Sequence, residues 1–332
     1  MAFRERLIGI DEPGAWREAL AGIPHGYWHT WEACRSAALA SGLPTFLYAC
    51  EDDVAGLRAA CPFSERRWRQ WTDIFTPTGF SGFCVSGGSG SLRERWRSFA
   101  VSRGYICAYF ALHPRLAERS VHDSLLATNE LHVIDLAVGE AELLARVDRS
   151  VRRDVRAWDA SGPSLVTDRD LLTAFLLENY LPFMVGLNAN PSAMWSDSGL
   201  RLMCADSALM MVGATDDEGV CAIYTFATTA WGAECHLNIS VRDGRQYTTP
   251  MIWWGVRQSI ARRLPWMNCG GGVSRNDAIA RAKQKFRPDI LPLLGAREVY
   301  RPDVYRSCCA EVGVDPGMRE GFFPNYRARR TP

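Results

Sequence analysis

The stretch 266-WMNCGGGVSRNDAIARAKQKFRPD-289 decides how this chain reads. Trp266, Met267, Asn268 and Cys269 have the look of a short strand, and it runs into Gly270, Gly271 and Gly272. Ser274 reads as a helix N-cap, and Asp277 three residues on completes a capping pattern, with an acid where the helix dipole favours one. Ala278, Ile279, Ala282 and Phe286 then give the helix one small apolar face. A strand, three glycines and a capped helix let backbone N–H groups and small polar side chains come close to a ligand. The same stretch holds Lys283 and Lys285, the only lysines among 38 basic residues; all the others are arginine. Where arginine supplies charge almost everywhere, two lysines within three positions point to a need for a compact ammonium on a flexible stem.

Length and composition set the frame. At 332 residues the chain exceeds one ordinary core and suits two domains of about 150 residues each. Hydrophobic content of 47% and charged content of 23% are those of a globular protein. Twelve Trp, ten Tyr and fourteen Phe suit large buried faces or an aromatic-lined cleft. A net charge of +1 argues against a dedicated nucleic-acid wrapper, whose affinity rests on a large positive surplus, and leaves room for a local basic groove. No run of apolar residues is long enough for a membrane helix, and the N-terminal stretch MAFRERLIGIDEPG lacks the apolar core of a signal peptide. The expected location is the cytoplasm. The eleven cysteines then read as small buried hydrophobes kept reduced. None forms a CxxC and Cys308 adjoins Cys309, so neither structural zinc nor any other metal site is expected. His25 and His29, without nearby acids or cysteines, read as packing residues rather than ligands.

In order, the first part reads as a strand (3–10), helices after Pro13 and over 28–39, and a strand over 45–50. The polar passage Glu65–Trp71 reads as loop or surface helix, and GFSGFCVS (79–86) as a strand. GGSGS (87–91) lacks the lysine and spacing of a P-loop and reads as a turn. A helix (92–103) and strands at 105–112 and 131–138 follow. From Glu140 to Trp158 the spacing of Leu143, Leu144, Val147, Val151 and Val155 predicts one amphipathic helix. Its other face carries Arg146, Arg149, Arg152, Arg153 and Arg156, either a solvated face or a basic edge toward a phosphate-bearing partner. The domain join is placed between residues 138 and 139. Beyond it come a strand (164–167), helices at 169–181 and 192–206, the latter opened by Asn190-Pro191-Ser192, and strands at 207–214, 220–228 and 233–240. A helix (248–263), a strand (265–269), a helix (275–286) and a last strand near 296–300 close the chain.

That order, β-α-α-β-β-β-α-β-α-β, is the order of a GNAT-type acyltransferase domain, and residues 1–138 hold a shortened version of it. The fold class expected is α/β (α+β): two tandem GNAT-like domains, each a mixed, mainly antiparallel sheet flanked by helices. Two such halves, with Ser150, Arg152 and Arg153 in an SxRRxxR helix, resemble the FemABX peptidyltransferase-like family. Further matches are Asn238, Ser240, Arg242, Pro250, Trp253 and Trp254, then Gly270–Gly272, Asp277, Lys283 and Phe286. The resemblance covers most of 139–305 and the rest in outline. It implies transfer of an aminoacyl group from aminoacyl-tRNA to the amine of a cell-wall precursor, a small peptide or a natural-product intermediate, with no tightly bound cofactor. It also implies that Lys283 sits at the transfer centre. Ala282 departs from the family's usual Phe, His236 stands where members often have a tyrosine, and no long helical-hairpin insertion is present to bind tRNA.

Amide formation needs an uncharged amine, a positioned carbonyl and donors aimed at the developing oxyanion. Lys283 is the candidate donor. His236 and Asn238 alternate with Leu237 and Ile239, which predicts that they share one strand face, with His236 as proton acceptor. Asn276, Tyr224, Trp231, Phe286 and Arg242 are the candidate substrate-binding residues, and Arg149, Arg152, Arg153 and Arg156 the candidate tRNA contacts. An acyl-CoA donor is the alternative, weakened because Arg242 to Thr249 lacks the paired small residues of a pyrophosphate turn. A non-catalytic binding module is the third reading. The protein is expected to act as a monomer.

Overall fold

A computed structural model of the protein describes residues 3–162, 165–189 and 194–328. The chain forms two compact units: Met1–Ala38, Gly42–Thr128 and Leu293–Pro332 in the first, Leu39–Ser41 and Asn129–Pro292 in the second. The segment from Leu293 therefore packs with the N-terminal residues.

The first unit is built on β1 (Arg4–Gly9), β2 (Thr45–Asp52), β3 (Leu57–Trp68), β4 (Trp71–Phe75), β6 (Tyr105–Ala111) and β12 (Asp289–Val299, from Leu293 on in this unit), side by side in that order. The short β5 (Cys84–Ser86) pairs on β3. All pairs are antiparallel except β4–β6. Helices α1 (Pro13–Leu20), α2 (Trp31–Ser41), α3 (Leu92–Ser102) and α10 (Pro302–Glu311) flank the sheet. The passage Glu65–Trp71 is the end of a hairpin rather than a surface loop or helix: it closes β3, turns at 69–70 and opens β4 in register Arg66↔Asp73 and Trp68↔Trp71. Its polar groups find partners remote in sequence. Tyr105 donates to Glu65 at 2.6 Å, and Arg66 and Arg327 both bind the buried Asp73 carboxylate. Within 79–86 only Cys84–Ser86 is strand, because Gly79 and Gly82 take positive φ and Ser81 meets Leu112 only as an isolated bridge.

Glu298 on β12 and the neighbouring Tyr300 enter a core of Trp96, Phe83, Phe110 and Tyr48. Trp96 Nε1 donates to Tyr300 Oη (2.8 Å) and Glu298 Oε2 (3.2 Å), and His122 Nδ1 binds the other carboxylate oxygen. A buried carboxylate is tolerable only when partnered in this way.

In the second unit, β7 (Leu125–Asp135, from Asn129 on), β11 (Trp266–Asn268), β10 (Gly232–Ser240), β9 (Gly219–Thr229) and β8 (Leu209–Asp216) lie side by side. Only β10–β11 is parallel. The helices are α4 (Glu140–Arg146), α5 (Arg149–Ser161), α6 (Arg169–Gly186), α7 (Asp197–Ala205), α8 (Thr248–Ala261) and α9 (Ala278–Gln284). The meander β8–β9–β10 followed by α8–β11–α9–β12 is the expected GNAT order. The single helix expected over 140–158 is two helices. Arg152 explains the break, since its guanidinium takes the carbonyls of Leu144 (3.0 Å), Ala145 (2.7 Å) and Val147 (3.0 Å) that α4 leaves open. Leu143, Val147, Val151 and Val155 still meet the core beneath α8. The strand at 164–167 reduces to one bridge, Val166↔Gly213, with 163 and 164 outside the described residues. The segment Asn190-Pro191-Ser192 also lies outside them, and α7 begins at Asp197, capped by Ser196. No described helix is long and apolar enough to cross a membrane.

Candidate active site

Parallel strands β10 and β11 pair only at Ala233↔Met267 and Glu234↔Asn268. Beyond those pairs β10 takes a bulge between Cys235 and Asn238 while β11 ends and its chain turns through Gly270–Gly272. The two strands stop pairing where the glycine stretch begins.

The turn is held by its carbonyls. Gly270 O accepts from the His132 amide (3.2 Å) and lies 3.1 Å from His132 Nδ1, Gly271 O accepts from Lys283 Nζ at 2.6 Å, and Gly272 O accepts from Asn129 Nδ2 at 3.0 Å. Gly271 cannot carry a side chain, because a Cβ there would sit 2.4 Å from the Glu130 carbonyl oxygen. Gly270 has φ +71°, open to glycine at little cost. The carbonyl-rich turn differs from the amide cradle its glycines suggested. What it positions is the partly buried Lys283, the penultimate residue of α9.

Asp277, not Ser274, caps α9: Oδ1 accepts from Ala280 N (2.7 Å), and Oδ2 from Val273 N (2.7 Å) and Ser274 N (3.1 Å). Those backbone bonds hold its carboxyl below the usual range. Asn276 at φ +59° is an exposed turn residue, its carbonyl bound by Arg281 and its side chain by Gln284.

The β10 bulge interrupts the strict alternation expected of His236 and Asn238. The stretch from Cys235 to Asn238 spans one residue more than the stretch from Phe226 to Tyr224 opposite it. Leu237 N donates to Thr225 Oγ1 (2.9 Å), which also lies 3.4 Å from His236 Nδ1. The His236 ring is tilted against Trp195, with centroids 5.8 Å apart. Burial pushes its pKa down to about 4, so the imidazole is neutral at physiological pH. Asn238 is exposed and pairs with Tyr224 in the ladder.

Other expected residues have different settings. Tyr224 is buried and stacked on Phe226 (4.7 Å, 11°), and Phe286 is buried in the same core. Trp231 stands at the tip of the β9–β10 hairpin, roughly 13 Å along the strand from Cys235 at about 3.3 Å per residue. Arg242 grips Asp216 through two hydrogen bonds (2.8 and 3.0 Å) and takes the Val220 carbonyl, so its donors close the β8–β9 hairpin. Arg149, Arg153 and Arg156 are exposed on α5, while Arg152 is absorbed by the end of α4.

Sequence reasoning missed Cys235 and Cys269. They follow directly on the last β10–β11 pair, and both pack in the core with Tyr224. Two cavities flank other parts of the units. A groove of about 270 Å³ at the start of α8 is lined by Asp154, Ala157, Trp158, Gly162, Gln246, Tyr247 and Pro250. It presents a carboxylate and no arginine. One of about 430 Å³ in the first unit is lined by Leu43, Pro44, Glu65, Arg66, Arg67 and Arg327.

No protein-family model matches the chain, and no curated protein does. Solved structures do. The structure described as FemX superposes with a TM-score of 0.65 at 10% identity, covering 92% of this chain and 99% of that one. The C-terminal domain of a putative lysylphosphatidylglycerol synthetase from Agrobacterium fabrum gives 0.57 at 11% identity, covering 94% and 98%. L-PGS from Bacillus licheniformis gives 0.57 at 10%, covering 87% and 92%. The chain therefore has the FemX-like, tandem GNAT-type fold that its order of strands and helices led one to expect.

Proposed function

We propose that this protein is an acyltransferase that moves an aminoacyl group from aminoacyl-tRNA to the amine of a small peptide, natural-product intermediate or cell-wall precursor. One observation carries the reading: Lys283 is tied to the glycine turn at 2.6 Å, beside the point where β10 and β11 stop pairing. Two neighbours in fold, FemX and a lysylphosphatidylglycerol synthetase, are in keeping with it.

In this reading the ester carbonyl lies at the break between β10 and β11. Lys283 places a positive charge against the oxyanion as the amine attacks. His236, neutral by burial, is a proton acceptor for that amine. Asn238 faces the acceptor from the exposed part of β10, and Trp231 and Asn276 stand farther out as acceptor contacts. Arg149, Arg153 and Arg156 meet the tRNA phosphates, with Arg152 positioning their helix. Acceptor and donor are the only partners required; the enzyme works as a monomer in the cytoplasm, where aminoacyl-tRNA is found, with no tightly bound cofactor.

The test compares binding of a mixed aminoacyl-tRNA pool with binding of acetyl-CoA, for wild type and Lys283→Ala. Retention of charged tRNA, with transfer lost in the variant, is the expected result. Tight acetyl-CoA binding with indifference to tRNA would overturn the donor assignment.

A further inference from the structure

The cavity of about 430 Å³ in the first unit takes no part in the transfer reading, and its lining is basic. It forms where β2 begins and β3 ends. Leu43 and Pro44 lead into β2, Glu65, Arg66 and Arg67 lie at the close of β3, and Arg327 comes from the helical turn Asn325–Arg327. Two of these arginines are held on one buried carboxylate, Asp73 of β4. Arg66 Nε donates to Oδ1 (2.9 Å) and Arg327 Nε to Oδ2 (2.7 Å), where Tyr326 Oη also donates (2.9 Å). Arg327 Nη2 donates to the Arg67 carbonyl at 2.7 Å. Each guanidinium also lies over a ring, Arg66 on Phe75 (4.1 Å) and Arg327 on Trp68 (5.4 Å). Both side chains keep 17% of their surface exposed, and the Nη1 group of each makes no hydrogen bond among the described residues. Arg67 is exposed, and its guanidinium has no partner among the described residues.

The charges do not balance. Glu65 accepts from Tyr105 Oη at 2.6 Å and stands 4.0 Å from Arg103 Nη2. With Arg103 included, four guanidiniums meet two carboxylates, a surplus of two positive charges around one concave space. A purely structural role accounts for Arg66 and Arg327 on Asp73, but not for Arg67 or the surplus. We propose that this cavity is a binding site for a small phosphate monoester. A monoester carries about −1.5 to −2 charge at neutral pH and three acceptor oxygens, which matches the surplus where a single carboxylate falls short. Guanidinium forks suit such an oxyanion, and forks already fixed on a carboxylate and a ring lose little freedom on binding. The phosphate meets Arg66, Arg67 and Arg327, and the organic body lies against Leu43 and Pro44. The volume is that of a small-molecule site. The site lies wholly in the first unit and does not depend on the acyltransferase reading.

The experiment titrates phenyl phosphate into the whole protein by calorimetry, with benzoate and inorganic phosphate as comparisons. Expected is one phenyl phosphate per chain, bound more tightly than either comparison. Arg67→Ala removes a group without a folded-state partner, so it keeps the fold, and it should weaken phenyl phosphate about threefold to tenfold. Arg6→Ala, which removes an exposed arginine of β1 outside the cavity, should leave binding unchanged. No saturable binding of phenyl phosphate overturns the proposal. So does equal weakening in the two variants, which would mean attraction to net charge alone. Benzoate binding as tightly as phenyl phosphate overturns the phosphate assignment. Displacement of phenyl phosphate by tRNA at matched phosphate concentration would give the cavity to nucleic acid and overturn the small-molecule assignment.

Discussion

Lys283 donates to the Gly271 carbonyl at 2.6 Å, so its ammonium is held by the turn it faces. Loss of a preorganised oxyanion donor costs about a hundredfold to a thousandfold in rate. Lys283→Ala is expected to lower single-turnover transfer by about that factor, with stability down by less than about 1 kcal/mol, since the group is only partly buried. Lys283→Arg should restore little, because a planar fork cannot replace a compact ammonium bound to one carbonyl. Full activity in the arginine variant would sink the role assigned to the lysine.

Gly271→Ala is expected to destabilise the second unit by about 1–3 kcal/mol, because its Cβ would meet the Glu130 carbonyl at 2.4 Å and backbone must move. Gly186→Ala, at the last residue of α6 with nothing within 4 Å of the added methyl, should instead be neutral or add about half a kcal/mol. Urea unfolding of the two variants side by side checks the contrast.

The arginines of α5 should separate by role. Arg152→Ala removes three bonds to the end of α4 and is expected to cost about 1–2 kcal/mol in a urea titration. Replacing Arg149, Arg153 and Arg156 together by alanine should leave stability within about 0.5 kcal/mol. The same triple variant should flatten the salt dependence of tRNA binding, by up to about one unit of slope for each phosphate that is no longer neutralised. An unchanged salt slope would remove α5 from the tRNA footprint.

Acid should weaken the fold from the histidines. Burial pushes His236 from 6.5 to about 4, and it lowers His25 and His29, the latter aided by charge on His25 and His113. Between those limits the unfolded chain binds protons that the folded imidazole refuses. Stability is therefore fully present above about pH 6.5 and lost as pH falls toward 4, by at most about 1.4 kcal/mol per pH unit for each group. Chemical denaturation at stepped pH should show this decline, and His236→Gln should make it shallower. A stability that rises on acidification through this window would contradict the burial assigned to His236.

Much of the second unit was legible because its signals are local. The short turn at Asp216–Gly219 and the run of three strands in sequence set the meander before any long-range pairing is known. Lys283 stands out by composition alone, and the structure ties it to the glycine turn of the same stretch. Glu65–Trp71 was not legible, since Tyr105 binds Glu65, Asp73 binds Arg66 and Arg327 takes the Arg67 carbonyl. Nor was the break before α5, where Arg152 was read as one member of a basic face and instead closes the preceding helix. Cys235 and Cys269 escaped because their meeting depends on the parallel register of β10 and β11, which no local pattern encodes.

The Glu298 carboxylate binds Trp96 and His122, side chains that leave the ribosome long before it does. Synthesis therefore delivers the first unit in two instalments, with Asn129–Pro292 made between them. The uninterrupted stretch can close on itself while the N-terminal sheet still lacks β12. A nascent chain thus keeps the site of Trp96 and His122 open to solvent, and to any chaperone that recognises aromatic surface, until β12 emerges.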